Sequence, residues 1–180
     1  IPKSRMIGAE LDLTLTPVSG LVLSASGSIL DSKVTQFVGL DTAGGSIDYA
    51  GSVIPYTPKY QLRLSGDYKW EMGDVEPFVG VVFSTRSKAN ANIGGSRGLV
   101  LTSDFASSVA PEDVYEIPGY SLVDVRAGAS FDDERWRVTV FGKNVFNEYH
   151  VTNIFTDYDT IARFAGQPAT YGVTVAFKFW

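Results

Sequence analysis

Gln61-Leu62-Arg63-Leu64-Ser65-Gly66-Asp67-Tyr68-Lys69-Trp70 alternates polar and apolar residues without a break. Leu62, Leu64, Gly66, Tyr68 and Trp70 fall on one side of an extended chain; Gln61, Arg63, Ser65, Asp67 and Lys69 fall on the other. A helix of about 3.6 residues per turn would scatter these charges around its surface, whereas a strand gathers them onto one face. The stretch therefore reads as a β-strand, and a long one, since soluble strands usually stop near roughly five or six residues.

Six further runs repeat the pattern. Upstream, Ile7, Ala9, Leu11, Leu13 and Leu15 oppose Gly8, Glu10, Asp12, Thr14 and Thr16. Leu21, Leu23, Ala25, Gly27 and Ile29 then oppose Ser24, Ser26 and Ser28. Downstream, Val79, Val81 and Phe83 form a fourth run, and Val123, Val125, Ala127, Ala129 and Phe131 oppose Asp124, Arg126 and Ser130. Trp136, Val138 and Val140 oppose Arg137, Thr139 and Lys143, and Tyr171, Val173, Val175, Phe177 and Phe179 make the seventh run. Runs of roughly 9–11 residues match what a tilted strand needs to cross a bilayer.

The connections alternate too. Short turns at Pro17–Gly20, Glu71–Glu76 and Asp132–Arg135 join the strands in pairs, and long segments at Thr35–Lys59, Lys88–Gly119 and Val145–Ala169 separate the pairs. Short turns thus fall on one side and long loops on the other, the asymmetry of periplasmic turns and extracellular loops in outer-membrane barrels. In a soluble domain, three unstructured loops of this length would count against the assignment. Trp70, Phe78, Phe131, Trp136, Phe177 and Phe179 sit beside the short turns, with Tyr60 and Tyr171 at the opposite strand ends. Such aromatic girdles form where amphipathic rings settle at headgroup level. Strand length, turn asymmetry and girdles together weigh against the alternative, a soluble β-sandwich with a buried apolar face.

Composition narrows the function. The 180 residues are 44 % hydrophobic and 19 % charged, and the net charge of −5 argues against a nucleic-acid partner, which needs a basic face. No cysteine is present, which excludes a disulfide framework, a thiolate zinc site and thiol chemistry. No stretch approaches the roughly 20 apolar residues of a transmembrane helix, which says nothing against a barrel. Seven strands close a barrel poorly, because single-chain bacterial barrels have even numbers from about eight upward and open edges in lipid are costly. Either an eighth strand lies within Leu99–Ala106, or the chain supplies part of a larger wall. The opening Ile1-Pro2-Lys3-Ser4, without the basic and apolar regions of a signal peptide, favours the second expectation.

Several segments carry a resemblance. Pro2 to Pro17 (P-K-S-R-M-I-G-A-E-L-D-L-T-L-T-P), Gly20 to Asp31, Ile54 to Ser65 (I-P-Y-T-P-K-Y-Q-L-R-L-S) and Pro118 to Gly128 resemble the C-terminal barrel of TonB-dependent receptors. Trp136 to His150 (W-R-V-T-V-F-G-K-N-V-F-N-E-Y-H) resembles the family's penultimate strand with its Asn-Leu-Phe-Asp-like ending, and Gly166 to Phe179 its last strand. The resemblance spans nearly all of residues 1–180. It implies an all-β, antiparallel, up-and-down transmembrane barrel of about 22 strands, of which these seven are the C-terminal part. It implies an N-terminal plug, coupling through TonB to the inner-membrane proton gradient, and import of scarce nutrients such as ferric siderophores, cobalamin or glycans. The partners implied are the lipid bilayer, the plug and remaining strands, TonB through the plug, the barrel-assembly machinery and a small nutrient ligand. The location implied is the bacterial outer membrane, with the long loops extracellular and the C-terminus periplasmic. The family usually ends on an aromatic in phase with its lipid-facing residues. Tyr171, Val173, Val175, Phe177 and Phe179 are therefore expected to form the assembly signal, with Trp180 one residue out of phase.

The candidate chemistry is sparse, and no enzyme is expected. His150 is the only histidine, with Asp157 and Asp159 downstream, and no Gly-x-Ser-x-Gly elbow accompanies it, so a solvated loop residue outweighs a hydrolase. Asp41, Asp48, Asp104, Glu112, Asp113, Glu116, Asp157 and Asp159 lie in the long loops. They could offer calcium some of its roughly six to eight oxygen ligands, but without EF-hand spacing solvated surface is the better reading and no cofactor is expected. Gly94-Gly95-Ser96-Arg97-Gly98 lacks the ending of a phosphate loop and reads as a loop tip. Glu10, Asp12, Arg63, Asp67, Lys69, Asp124, Arg126, Arg137 and Lys143 face inward with both signs, and would tune a channel or contact a plug. Tyr49, Tyr56, Tyr115, Phe155, Tyr158 and Arg163 are the expected ligand contacts, because aromatics and arginine dominate recognition surfaces. The alternative to a nutrient receptor is a self-contained small porin or adhesin.

Overall fold

The structure, a computed structural model, describes residues 3–40, 44–95, 114–157 and 160–179. In chain order the strands are β1 (Lys3–Leu15), β2 (Leu21–Gln36), β3 (Val38–Leu40), β4 (Ser46–Asp48), β5 (Tyr60–Lys69) and β6 (Val75–Arg86). They continue with β7 (Ala89–Asn90), β8 (Glu116–Ile117), β9 (Tyr120–Phe131), β10 (Trp136–Lys143), β11 (Val151–Asp157), β12 (Thr160–Ala165) and β13 (Thr170–Phe177). The seven long-period runs become one antiparallel sheet in the order β1-β2-β5-β6-β9-β10-β13. Its edges, β1 and β13, are not paired with each other, so the sheet is an open wall of the all-β barrel type. The stretch Leu99–Ala106, weighed as an eighth strand, lies outside the described residues.

Register turns the sequence alternation into two faces, since cross-strand partners share a side. One row runs Leu15, Leu23, Gly66, Val81, Val125, Gly142, Tyr171 across all seven strands. On the other face run Asp12, Ser26, Arg63, Ser84, Leu122 and, two pairs nearer the short turns, Asp67, Gly80, Arg126, Phe141, Gly172. The apolar face lies open: Leu11 is 65 % exposed, Val173 66 % and Val175 60 %. A continuous apolar surface of this extent has to be covered by something other than water.

Two glycines are dictated by close approach. A Cβ on Gly80 would collide with the Asp67 carboxylate and lie 2.8 Å from Arg126 Nε, so glycine there lets those side chains meet across β6. A Cβ on Gly128 would lie 2.7 Å from the Phe78 ring, which covers the bare backbone instead. Phe78 is therefore on the polar face, 8 % exposed, with the Arg137 guanidinium 4.2 Å above its ring. That corrects its placement in the girdle: one residue out of phase with Val79, it belongs to the opposite side. Of the remaining short-turn aromatics, Phe131, Trp136, Phe177 and Phe179 cluster, with Trp136 4.4 Å from Phe177 and Phe177 4.7 Å from Phe179, centroid to centroid, while Trp70 stacks on Tyr68.

The long segments are not bare loops. β3 pairs with β4, β7 with β8 and β11 with β12. Val114, Tyr115, Ile117, Val151 and Ile154 bury one another beyond the end of the wall, with Ala91 and Ile161 packed against them. A second knot holds Val34, whose N–H donates to the Ser52 carbonyl at 2.8 Å and whose carbonyl accepts from Gly51 N–H at 2.8 Å. At the other end, the turn after β9 places Asp132, Asp133 and Glu134 all at positive φ (56°, 50° and 61°). The Glu134 carboxylate takes a hydrogen bond from Lys178 Nζ at 3.2 Å, which holds its carboxyl below the usual glutamate range.

Candidate functional site

The polar face divides into two halves. Near the short turns its charges are paired: Arg126 donates through Nη2 at 2.6 Å and Nε at 3.1 Å to Asp67 Oδ1, and Lys69 Nζ lies 3.0 Å from Glu76 Oε2. Near the long loops, Glu10, Asp12, Arg63 and Arg86 line an open cleft of about 430 Å³ with Gln61 and Tyr120. None of these four charges makes an ion pair among the described residues. Arg86 lies over the Tyr120 ring, 5.6 Å from its centroid, and its Nε and Nη2 have no hydrogen-bond partner among the described residues. A half-buried guanidinium edge left without an acceptor is costly, and Nε with Nη2 is a fork suited to an incoming pair of oxygens.

The loop cluster gathers some of the residues expected to touch ligand and separates others. Tyr56, at a φ of 58°, donates its hydroxyl to Asn153 Oδ1 at 2.5 Å and lies 3.1 Å from the Ile154 carbonyl. In the β11–β12 register, Asn153 pairs with Phe164 and Phe155 with Ala162, so Asn153, Phe155 and Phe164 share one face of that hairpin. Tyr56, Phe155 and Phe164 are 47 %, 57 % and 51 % exposed. Arg163 pairs with Ile154 on the opposite face, and its Nη2 reaches the Val114 carbonyl at 3.4 Å. Tyr49 and Tyr115 are each 5 % exposed: Tyr49 stacks on Phe37 and donates to the Leu40 carbonyl at 3.0 Å, and Tyr115 belongs to the loop core. Tyr158 lies outside the described residues.

His150 is a packing residue in this arrangement. It is 8 % exposed, its Nδ1 lies 3.1 Å from the Glu148 carbonyl, and its ring leans on Tyr120 at 4.5 Å. Of the loop acids, Asp48 Oδ1 accepts from Ala50 N–H at 2.9 Å and Glu116 takes Lys88 Nζ at 2.6 Å. Asp41, Asp104, Glu112, Asp113 and Asp159 lie outside the described residues, as do Ser96, Arg97 and Gly98 of the glycine-rich tip. No three histidine, aspartate or glutamate side chains among the described residues come together as a metal site.

Sequence reasoning missed Asn144, whose side chain makes three hydrogen bonds. It is 4 % exposed with a φ of 48°. Its Nδ2 donates to the Glu148 carbonyl (2.9 Å) and the Gln167 carbonyl (3.1 Å), and its Oδ1 accepts from Glu148 N–H (2.9 Å). Its own N–H donates to Asp124 Oδ1 at 2.8 Å. One residue thereby ties the end of β10 to β9 through its backbone N–H, and through its side chain to the segments on both sides of the β11–β12 hairpin. Asn147 adds a bond from Ala169 N–H at 3.0 Å.

The family model for the TonB dependent receptor-like β-barrel matches residues 1–145. The chain belongs to that family. Solved structures of TonB-dependent type share the fold. The ferric yersiniabactin uptake receptor FyuA from Yersinia pestis superposes with a TM-score of 0.74 at 15 % identity, over 98 % of this chain and 24 % of that one. The unliganded ferric citrate transporter FecA gives 0.70 at 20 % identity, over 98 % and 24 %. BauA, the ferric preacinetobactin receptor from Acinetobacter baumannii, gives 0.66 at 21 % identity, over 98 % and 22 %. The chain thus spans about a quarter of the length of these structures. As a member of the receptor-barrel family, it supplies seven strands of wall together with their loops.

Proposed function

We propose that this chain is a section of the wall of an outer-membrane transport barrel that imports a bulky, scarce nutrient of the ferric-chelate class. In this reading the apolar face meets lipid and the polar face meets the lumen, filled by a plug through which TonB acts. The long segments are extracellular and the C-terminus periplasmic. The role is transport, without catalysis.

One observation carries the proposal: an exposed apolar band of the right height. From Tyr60, the first residue of β5, to Trp70, the residue after its last, the chain makes ten residue steps. At about 3.3 Å per residue and a tilt of roughly 40°, this gives about 25 Å of vertical height, the height of the apolar band of outer-membrane barrels. Tyr56, Phe155, Arg163, Tyr158, Tyr49 and Tyr115 are proposed to contribute the ligand surface. Tyr171, Val173, Val175, Phe177 and Phe179 are proposed as the signal read by the barrel-assembly machinery. By analogy, an iron-chelate cargo is supported by FyuA, a ferric yersiniabactin uptake receptor, FecA, a ferric citrate transporter, and BauA, a ferric preacinetobactin receptor.

Cysteine-scanning tests this, because the chain has no cysteine of its own. On intact cells an impermeant maleimide should label Phe155→Cys and should reach Asp133→Cys only once the outer membrane is opened. A lipid-soluble quencher should act on a dye at Val173→Cys and not at Thr139→Cys. Uptake of iron chelates under iron limitation should fall when the gene is deleted. Quenching at both face positions alike, or labelling of Asp133→Cys from outside, would refute the membrane placement.

A further inference from the structure

The β1–β2 hairpin rises above the rest of the wall at the long-loop end. The pairing of β2 with β5 stops at Ile29 and Tyr60, whereas the pairing of β2 with β1 continues to Gln36 and Lys3. On the apolar face, the hydrophobic run of β1 and β2 ends at Ile7 and Ile29, which are 59 % and 62 % exposed. The next residues on that same face are Asp31, opposite Ile7, and then the pair Arg5 and Lys33. Arg5 Nη2 lies 3.2 Å from Asp31 Oδ2 and Lys33 Nζ lies 3.9 Å from Asp31 Oδ1. The carboxylate therefore holds two cations side by side on separate oxygens, and all three side chains are about half exposed. Lys3, two residues beyond Arg5 on β1, extends the basic edge.

We infer that Arg5, Lys33 and the Asp31 that positions them form a docking site for the phosphate of a phosphorylated glycolipid in the leaflet at the long-loop end. The inference rests on the membrane placement proposed above and adds an occupant to the outer surface. Height supports it. At about 2.5 Å of rise per tilted residue, Asp31 stands about 5 Å and Lys33 about 10 Å above the Ile29–Tyr60 level, within reach of a headgroup layer roughly 5–8 Å deep. Chemistry supports it too. Arginine carries five N–H donors and lysine three, so one carboxylate leaves most of them available. An exposed ion pair contributes little to stability by itself, which leaves these donors free to exchange partners at small cost. The short-turn end of the same wall shows the opposite balance, with Glu71, Asp74, Asp132, Asp133 and Glu134 on its rim.

The test uses the intact protein in phosphatidylcholine nanodiscs with one lipid in about ten replaced by bisphosphorylated lipid A, and counts retained lipids by native mass spectrometry. Wild type should enrich lipid A severalfold over its share of the disc, and the Arg5→Gln/Lys33→Gln double variant should lose most of that enrichment. Lys88→Gln/Lys178→Gln, which removes as much charge elsewhere, should keep it. Lipid A stripped of both phosphates should show no enrichment, and millimolar inorganic phosphate should not displace the intact lipid. Equal enrichment in the double variant, equal retention of the stripped lipid, or displacement by free phosphate would overturn the site. Bromine-labelled acyl chains in the same discs check the membrane placement separately. If they fail to quench the fluorescence lost on Trp70→Phe, the membrane reading falls. If they quench it and enrichment is absent, only the docking site falls.

Discussion

Replacing Asn144 with alanine removes three side-chain hydrogen bonds from a site that is 4 % exposed and forces a Cβ-bearing residue without local compensation to hold a φ of 48°. Each neutral hydrogen bond contributes about 1 kcal/mol net, and the buried carbonyls and N–H left behind resist desolvation. The left-handed backbone adds about 1 kcal/mol for alanine relative to asparagine. The expected loss is therefore about 3–4 kcal/mol, a shift of more than about a hundredfold in the unfolding equilibrium. Asn144→Gly loses the same bonds but none of the backbone fit, and glycine's greater unfolded-state entropy offsets about 0.5–1 kcal/mol of that advantage. Asn144→Asp keeps the acceptor but turns a carboxylate toward the Glu148 and Gln167 carbonyl oxygens, close to Asp124, and should be the worst of the three. The order of stability is wild type, glycine, alanine, aspartate. Urea titrations of the intact protein in phospholipid vesicles, followed by tryptophan fluorescence and by gel mobility without boiling, measure it. If all three variants unfold at the wild-type midpoint, the knot holds nothing. Glycine and alanine should differ by no more than about 0.5 kcal/mol, so a glycine variant clearly less stable than alanine would mean the backbone part of the reasoning is wrong.

Other perturbations follow from the same contacts. Gly80→Ala should cost about 1–3 kcal/mol by driving a methyl into the Asp67–Arg126 pair. That cost should largely vanish in an Asp67→Ala background, as a double-mutant urea series would show. Tyr56→Phe removes the hydroxyl bonded to Asn153 and Ile154, and should speed amide exchange across residues 153–155 with little change in the wall. Glu134 titrates below its unfolded value because Lys178 hydrogen-bonds it. Its contribution to stability is thus present above the ordinary glutamate pKa and is lost as the pH falls through the lowered one. Glu134→Gln should flatten that acid limb of the urea midpoint against pH, whereas an unchanged limb would mean the exposed pair is idle.

The wall was legible because its period is two and its faces differ in polarity: Gln61 to Trp70 reads the same as a strand in the sequence and in the sheet. Phe78 shows where such reading slips, since a bulky aromatic near a turn looks like a girdle residue until its phase against Val79 and Val81 is counted. The β11–β12 hairpin escaped for a related reason. Ile154 is buried and Phe155 exposed, so adjacent apolar residues blur the alternation. The Asp31-Ser32-Lys33 extension of β2 was hidden by its polarity, though Ser32 is 4 % exposed and bonded to Thr57. For the candidate site, residue type was a weak guide. Tyr49 and Tyr56 look alike in sequence, yet the first is stacked on Phe37 and the second reaches to Asn153. Asn144 was invisible as a connector, because its left-handed φ and its partners at residues 124, 148 and 167 exist only once the strands are assembled.

Alternating polarity prevents a strand from slipping past its neighbour by one residue, which would turn every leucine toward the wrong side, but it is blind to a slip of two. The bare backbone at Gly80 removes that ambiguity. Displacing β6 by two positions would bring Phe78 or Val82 beneath the place where Asp67 meets Arg126, and neither leaves room for the pair. Gly128 beneath Phe78 and Gly172 beneath Phe141 impose the same condition on the next interfaces. During insertion, when strands must find their partners in a medium that forgives few unpaired amides, these three gaps act as a check on counting. They favour the correct pairing of β5, β6, β9, β10 and β13 over one displaced by two residues, because only there do Asp67, Arg126, Phe78 and Phe141 have somewhere to lie.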